Sequence, residues 1–195
     1  NILADLGLYE AQNYSFISPE VFEKINLGEK DSLRKVVKLN NPVSEEHTVM
    51  RTTLIPGLLD NLSLNASRNV DCIELFELGK IFIPQNSEIL PKERLKLSGA
   101  IMNNDLSAKW NLDAGEFFYL KGILEDYFSA LGIKEFEFLS DELPYLHPGR
   151  TALVKINDYE IGHLGEVHPE VQENYNLEER VVVFEFDFEQ IVEVA

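Results

Sequence analysis

Two apolar runs, Thr151 to Ile156 and Tyr159 to Val167, are separated only by Asn157-Asp158. A two-residue connection of this chemistry folds a chain back on itself, because Asn and Asp accept the backbone angles of a tight turn. The segment reads as a β-hairpin, and a hairpin makes at least part of its sheet antiparallel. Further strands and helices are interspersed along the chain and do not strictly alternate. The fold class that follows is α+β, a mainly antiparallel sheet flanked by helices, and not a doubly wound fold.

Other elements fit this frame. Ile73 to Ile83 reads as a long strand, and Leu95, Leu97 and Ile101 alternate with smaller or more polar neighbours. Phe184, Phe186 and Phe188 alternate with Glu185 and Asp187, which predicts a sheet with one wet edge or face. Ser18-Pro19-Glu20 reads as a helix start, with Ser18 as cap, Pro19 at the first helical position and Gly28 as the stop. A second helix follows Pro56-Gly57 and buries Leu58, Leu59, Leu62 and Ala66 along one face. The third is the clearest. Asp113 and Glu116 form a capping-box-like pair before Phe117, Leu120, Leu124, Phe128 and Leu131, and Gly132 ends it. A short fourth helix starts at Pro169.

The 195 residues are 45% hydrophobic, enough for one sizeable core, and no repeat, low-complexity tract or Gly/Ser linker interrupts them. Residues 1–195 therefore read as one domain. Both ends, Asn1 with its helical Ile2, Leu3 and Leu6 and Ala195 just after an apolar strand, read as cuts in a longer chain. No run approaches the roughly 18 apolar residues of a membrane span, and the N-terminus lacks the pattern of a signal peptide. Cys72 is the single cysteine, which forbids an internal disulfide and predicts an intracellular, reducing compartment. Charge is one-sided, with 17 basic residues against 34 acidic ones and a net charge of −17. Such a surface repels phosphate backbones, which argues against a nucleic-acid platform, and it also keeps a domain soluble.

Little in the residues points to chemistry. The histidines are His47, His147, His163 and His168. Glu166 and His168 lie two apart, but zinc sites take three or four protein ligands at close spacing. His147 and His168 each precede a proline and read as residues that shape or cap turns. No nucleophile elbow, cysteine signature or Walker loop occurs. Gly162 and Gly165 form a G-x-x-G without basic neighbours, inside a strand pattern where glycine marks a bulge or a close backbone approach. The expectation is no catalytic residue, no cofactor site and no metal site, and a domain that holds partners in place.

Three stretches are more specific than generic packing. Asn41 to Leu59 reads NPVSEEHTVMRTTLIPGLL, Leu75 to Phe82 reads LFELGKIF, and HPGRTA from His147 is followed by IGHLGEVHP from Ile161. Together with Tyr9-Glu10-Ala11, Tyr14-Ser15-Phe16 and Phe118-Tyr119-Leu120-Lys121-Gly122, and in this order, they resemble the core domain of the beta subunit of bacterial phenylalanyl-tRNA synthetases along essentially the whole chain.

The resemblance implies a non-catalytic copy of the class II aminoacyl-tRNA synthetase core, within a longer beta subunit. It implies a cytoplasmic assembly of two alpha and two beta chains that joins phenylalanine to its tRNA with ATP and Mg²⁺. In that assembly the catalytic copy sits in the alpha subunit, and this domain packs against alpha and supports it. By the same analogy a working site needs an arginine just after Gly79-Lys80-Ile81-Phe82, where charge gathers on a phosphate. Ile83 stands there, and no arginine occurs from Val70 to Leu90. The third signature of that fold is a glycine-rich strand-to-helix turn carrying another arginine. The chain reads VVVFEFDFEQ from Val181, with Glu185 and Asp187 to repel phosphates. The missing arginines disfavour an active ligase core, and the net charge disfavours a tRNA-contacting module. Arg51 and Arg150 are the candidate functional residues. Each either ties a loop to a carboxylate or to backbone carbonyls, or faces the alpha subunit, where a planar guanidinium suits an interface.

Overall fold

The computed structural model describes residues 2–42, 44, 46–85, 90–103 and 115–195, and the hairpin lies where its turn chemistry places it. Strands β7 (Leu146–Ile156) and β8 (Tyr159–Val167) pair antiparallel across Asn157-Asp158, and Asn157 takes a φ of 53°. β7 begins earlier than Thr151. Leu146 already pairs with Val167, so Pro148-Gly149 is an irregularity inside the strand and not a turn ahead of it.

Five further strands, β1 (Tyr9–Glu10), β4 (Cys72–Ile83), β5 (Lys92–Asn103), β6 (Phe136–Ser140) and β9 (Val181–Asp187), complete a seven-stranded sheet in the order β1–β4–β5–β9–β8–β7–β6. Every neighbouring pair is antiparallel except β1, which lies parallel to β4 through Tyr9 and Glu10. A separate pair joins β2 (Phe16–Ile17) to β3 (Val49–Met50). The α+β class holds.

Strand alternation sorts side chains onto two covered faces. Phe76, Leu97, Ile101, Val182, Phe184 and Phe186 pack beneath helices α1 (Ile2–Asp5), α4 (Gly115–Ala130) and α6 (Phe188–Val194). Ile73, Ala100, Met102, Val181 and Val183 pack on the opposite face beneath α2 (Val21–Lys24), α3 (Ile55–Ala66) and α5 (Pro169–Asn174). In α3 the expected stripe is present: Leu58, Leu59 and Leu62 are fully buried, each contributing about 1.5–3 kcal/mol of apolar burial, and Ala66 is partly covered. α4 likewise buries Leu120, Leu124 and Phe128, and Gly132 ends it at a φ of 81°. Asp113 lies outside the described residues. Its intended partner Glu116 is buried in the first turn. α5 starts at Pro169, with His168 Nδ1 accepting the Glu170 N–H, as the capping expectation requires.

Two expectations are corrected. The first is the helix after Ser18. Ser18 Oγ accepts the Glu20 N–H at 3.3 Å, but residues 18–20 form a turn and α2 begins only at Val21. Its stop is Asn26, at a φ of 55°, not Gly28; Asn accepts this conformation at small cost, and its Nδ2 donates to Glu170 on α5 at 3.0 Å. The second is β9. Its Phe/Glu alternation is real, but β9 lies between β5 and β8 in the middle of the sheet, and Phe188 belongs to α6. Its polar side is therefore only partly wet: the start of α3 covers Glu185, and Glu185 and Asp187 are half-buried. Gly162 of β8 shows why a glycine sits beside this strand, because a Cβ there would collide with the Glu185 carbonyl. No helix among the described residues is long and apolar enough to cross a membrane.

Candidate functional site

The polar part of the α3 face carries the residues singled out above. Arg51, ahead of α3, is held by its own backbone: its N–H donates to Ser15 O and its carbonyl accepts the Phe82 N–H, both at 2.9 Å. Its side chain turns down to the sheet, where Nη1 donates to Glu77 Oε1 at 2.7 Å and Nε to the Lys80 carbonyl at 2.9 Å. Asn13 completes the cluster by donating Nδ2 to Glu77 Oε2 at 2.8 Å and its backbone N–H to Oε1 at 3.3 Å. The two charged side chains are only 6% and 3% exposed, so the attraction acts in a medium of low dielectric and the desolvation of each charge is offset by several bonds. Space is tight. A Cβ on Gly79 would collide with Arg51 Nη2, so the glycine of the LFELGKIF stretch is there to let the guanidinium lie on the strand.

Glu185 lies two strands away on the same face. Its Oε1 accepts the Leu54 N–H at 2.6 Å and the Thr53 hydroxyl at 2.9 Å. α3 has no side-chain cap of its own, so a carboxylate from β9 supplies one and meets the positive end of a long helix. Burial raises the Glu185 pKa; the Leu54 hydrogen bond, Lys96, the Thr53 hydroxyl and Arg51 pull it part of the way back. Asp187 also works internally. It caps α6 through Gln190 N at 3.3 Å and faces Lys96 Nζ at 3.6 Å. Both carboxylates expected to repel phosphates thus hold helix starts instead.

Arg150 is the second arginine. From β7 its Nη1 reaches both oxygens of the buried Glu166, at 2.9 and 2.8 Å, and Arg180 lies 4.0 Å from the same carboxylate. The structure does not bring Arg51 and Arg150 together; each is tied to a glutamate on its own part of the sheet. Ile83 ends β4, 40% exposed and paired with Lys92, on the face that carries Glu77. The Glu142 N–H, and after it His163 at 2.9 Å, hold the Asp141 carboxyl below the usual range. No group of three His, Cys, Asp or Glu among the described residues is placed to hold a metal. Sequence reasoning missed Asn13 and Glu77. Glu77 did leave a trace, the one carboxylate in the interior of the mostly apolar LFELGKIF stretch.

An antiparallel sheet with helices on both faces, a long β4–β5 pair and a strand-to-helix junction at β9–α6 give the chain a fold like the class II aminoacyl-tRNA synthetase core. Two solved structures of pyrrolysyl-tRNA synthetase from Desulfitobacterium hafniense share this fold, with a TM-score of 0.73 and 20% and 21% identity, over 98% of this chain and 64% of theirs. The model of the phenylalanyl tRNA synthetase beta chain CLM domain matches residues 1–188, and the chain belongs to that family. It is 40% identical to the phenylalanine–tRNA ligase beta subunit of Clostridium acetobutylicum, over 99% of this chain and 23% of that relative. It is 42% identical to the beta subunit of Carboxydothermus hydrogenoformans, over 97% of this chain and 24% of that one. The chain therefore spans about a quarter of the length of the curated relatives it matches.

Proposed function

We propose that residues 1–195 are a single non-catalytic core domain of a phenylalanine–tRNA ligase beta subunit, which supports a catalytic alpha subunit in the ATP-dependent charging of tRNA with phenylalanine. The observation that carries this is the occupation of the α3 face of the sheet. Where a phosphate would need fixed positive charge, the chain has Ile83, and Glu185 pins the α3 start across β9. ATP and Mg²⁺ belong, on this proposal, to the complete two-alpha, two-beta enzyme in the cytoplasm, and the family relationship supports the partner being the alpha chain. Arg51 and Arg150 serve the interface by bracing, through Glu77 and Glu166, the surfaces that meet alpha. A tRNA-contacting role is the weaker alternative, since a net charge of −17 opposes it.

Co-expression with the alpha chain tests the proposal. The pair is expected to co-purify, and this chain alone is expected to give no phenylalanine-dependent ATP–pyrophosphate exchange. Exchange by the purified chain, or a failure to associate with alpha, overturns it. Arg51→Met and Arg150→Met are expected to weaken the co-purification; unchanged association by folded variants removes the two arginines from the interface.

A further inference from the structure

The two edges of the large sheet are finished differently. At one edge β1 has two residues, and beyond them Arg51 takes up the Lys80 carbonyl and the Phe82 N–H. At the other edge β6 has no such cover among the described residues. Its ladder to β7 is regular over all five residues, and it is bracketed by two bonds of 3.2 Å, Asn157 N–H to the Glu135 carbonyl and Asp141 N–H to the Thr151 carbonyl. Antiparallel strands alternate residues that bond inward with residues that bond outward. Glu137 and Leu139 therefore bond to β7, and Phe136, Phe138 and Ser140 turn their N–H and C=O groups outward, where they find no partner among the described residues. The devices that blunt an edge strand, a lysine, a proline or a bulge, are missing from the sequence FEFLS.

The side chains along this edge select what could pair with it. Toward α4, Phe136 and Phe138 are half-buried and offer ring surface to a neighbouring strand. Toward α3, Leu139 is 40% exposed beside the half-buried Leu153. Glu135, Glu137 and Glu142 are exposed and Asp141 is half-buried, so four carboxylates line a strand of five residues, while Lys155 is already held by Glu160 at 2.9 Å. A second copy of this chain would bring the same four carboxylates and a net charge of −17 against them. We propose that the β6 edge is a docking site for an extended polypeptide segment whose apolar residues are interspersed with Lys or Arg, added to the sheet as a further strand. Main-chain bonds to Phe136, Phe138 and Ser140 hold the segment, and its cations meet the acidic rim. This site is distinct from the bracing by Arg51 and Arg150, and it stands whether or not the chain associates with alpha.

The probe is the peptide acetyl-Lys-Thr-Leu-Val-Arg-Val-Lys-amide, which laid antiparallel sets its leucine opposite Leu139, its arginine opposite Glu137 and its end lysines opposite Asp141 and Glu135. Calorimetric titration is expected to show saturable binding with a Kd below about 1 mM, and hydrogen exchange of the Phe136, Phe138 and Ser140 amides should slow. Two control peptides separate the causes. One carries Glu for every Lys and Arg; the other is methylated on the backbone nitrogen of its first valine, which faces Phe138 and keeps the charge. Each should bind at least about tenfold more weakly. Ser140→Pro removes an outward N–H from an exposed position without touching the β7 ladder, and it should weaken the parent peptide by a similar factor. If that variant does not fold, the methylated peptide on the unaltered chain decides. No saturable binding up to ~1 mM, equal binding of the three peptides, or full binding by folded Ser140→Pro overturns the proposal. Protection of the same three amides by self-association, without peptide, overturns it in favour of a second copy.

Discussion

Glu77 and Glu185 are carboxylates of the same length on the same sheet face, two strands apart, and the fold treats them differently. Glu77 is closed: Arg51 and Asn13 occupy both of its oxygens and its charge is neutralised at 2.7 Å. Glu185 is half used: Oε1 receives a helix start, Oε2 takes no hydrogen bond among the described residues, and the residue lines a cleft together with Lys96. A buried acid that is fully bonded fastens one segment to another. One that is half bonded is fastened on one side and free to receive something on the other.

The largest expected effect comes from opening the closed site. Arg51→Met leaves Glu77 buried without its cation and should cost about 3–5 kcal/mol, read as a drop in the urea midpoint. The double variant Arg51→Met with Glu77→Gln should recover part of that loss. If the double variant is as unstable as the single one, the pair is not what holds these segments. Arg150→Met disturbs a less enclosed pair, with Arg150 23% exposed and Arg180 close to the same carboxylate, so about 1–3 kcal/mol is expected in the same assay.

Glu185 should respond to pH with a definite sign. Its folded pKa is raised by burial, with Lys96 on β5, His163 on β8 and Asp187 on its own strand facing it. A raised folded value means that its stabilising contribution is complete below the ordinary glutamate pKa and is lost as pH rises through the folded one. Glu185→Gln keeps the acceptor and removes the titration. Melting curves across that interval should therefore show the variant gaining on the parent chain as pH increases, while Glu185→Ala, which loses the titration and the α3 cap together, should follow the same trend about 1–2 kcal/mol below the Gln variant at every pH. A parent chain that gains on the Gln variant with rising pH would reverse the assignment. The smallest effect is at the hairpin. Asn157→Gly relieves a positive φ in a residue that already tolerates it, and a change within about 0.5 kcal/mol is expected from the melting temperature.

Much of the fold was legible because local chemistry set it. The Asn157-Asp158 turn, the α3 stripe and the Gly132 stop are each decided within a few residues of sequence. The misreadings came where a distant segment decides. Phe184, Glu185 and Phe186 have the alternation of a half-wet strand, and nothing local says that residues 53 and 54 lie over the glutamate. Ser18 has the chemistry of a cap, but the helix starts later and stops at Asn26, whose side chain is held by Glu170 far along the chain. For the site, the absence of an arginine near Ile83 was visible in one dimension. The partners of Arg51 and Arg150 were foreseen only as some carboxylate or carbonyl, because pairing across the sheet depends on register.

The crowding around Gly79 also bears on reversibility. Replacing Ile83 with arginine would add one positive charge at the end of β4, yet the Arg51 guanidinium already lies against Gly79 and Glu185 already holds the α3 start. Clearing that face means removing Arg51, releasing Glu77 and uncapping a helix, and each step taken singly lowers stability before the next can compensate. On the proposed non-catalytic reading, a path to nucleotide chemistry on this face descends before it climbs, because the contacts that close the face are the same ones that keep the domain folded.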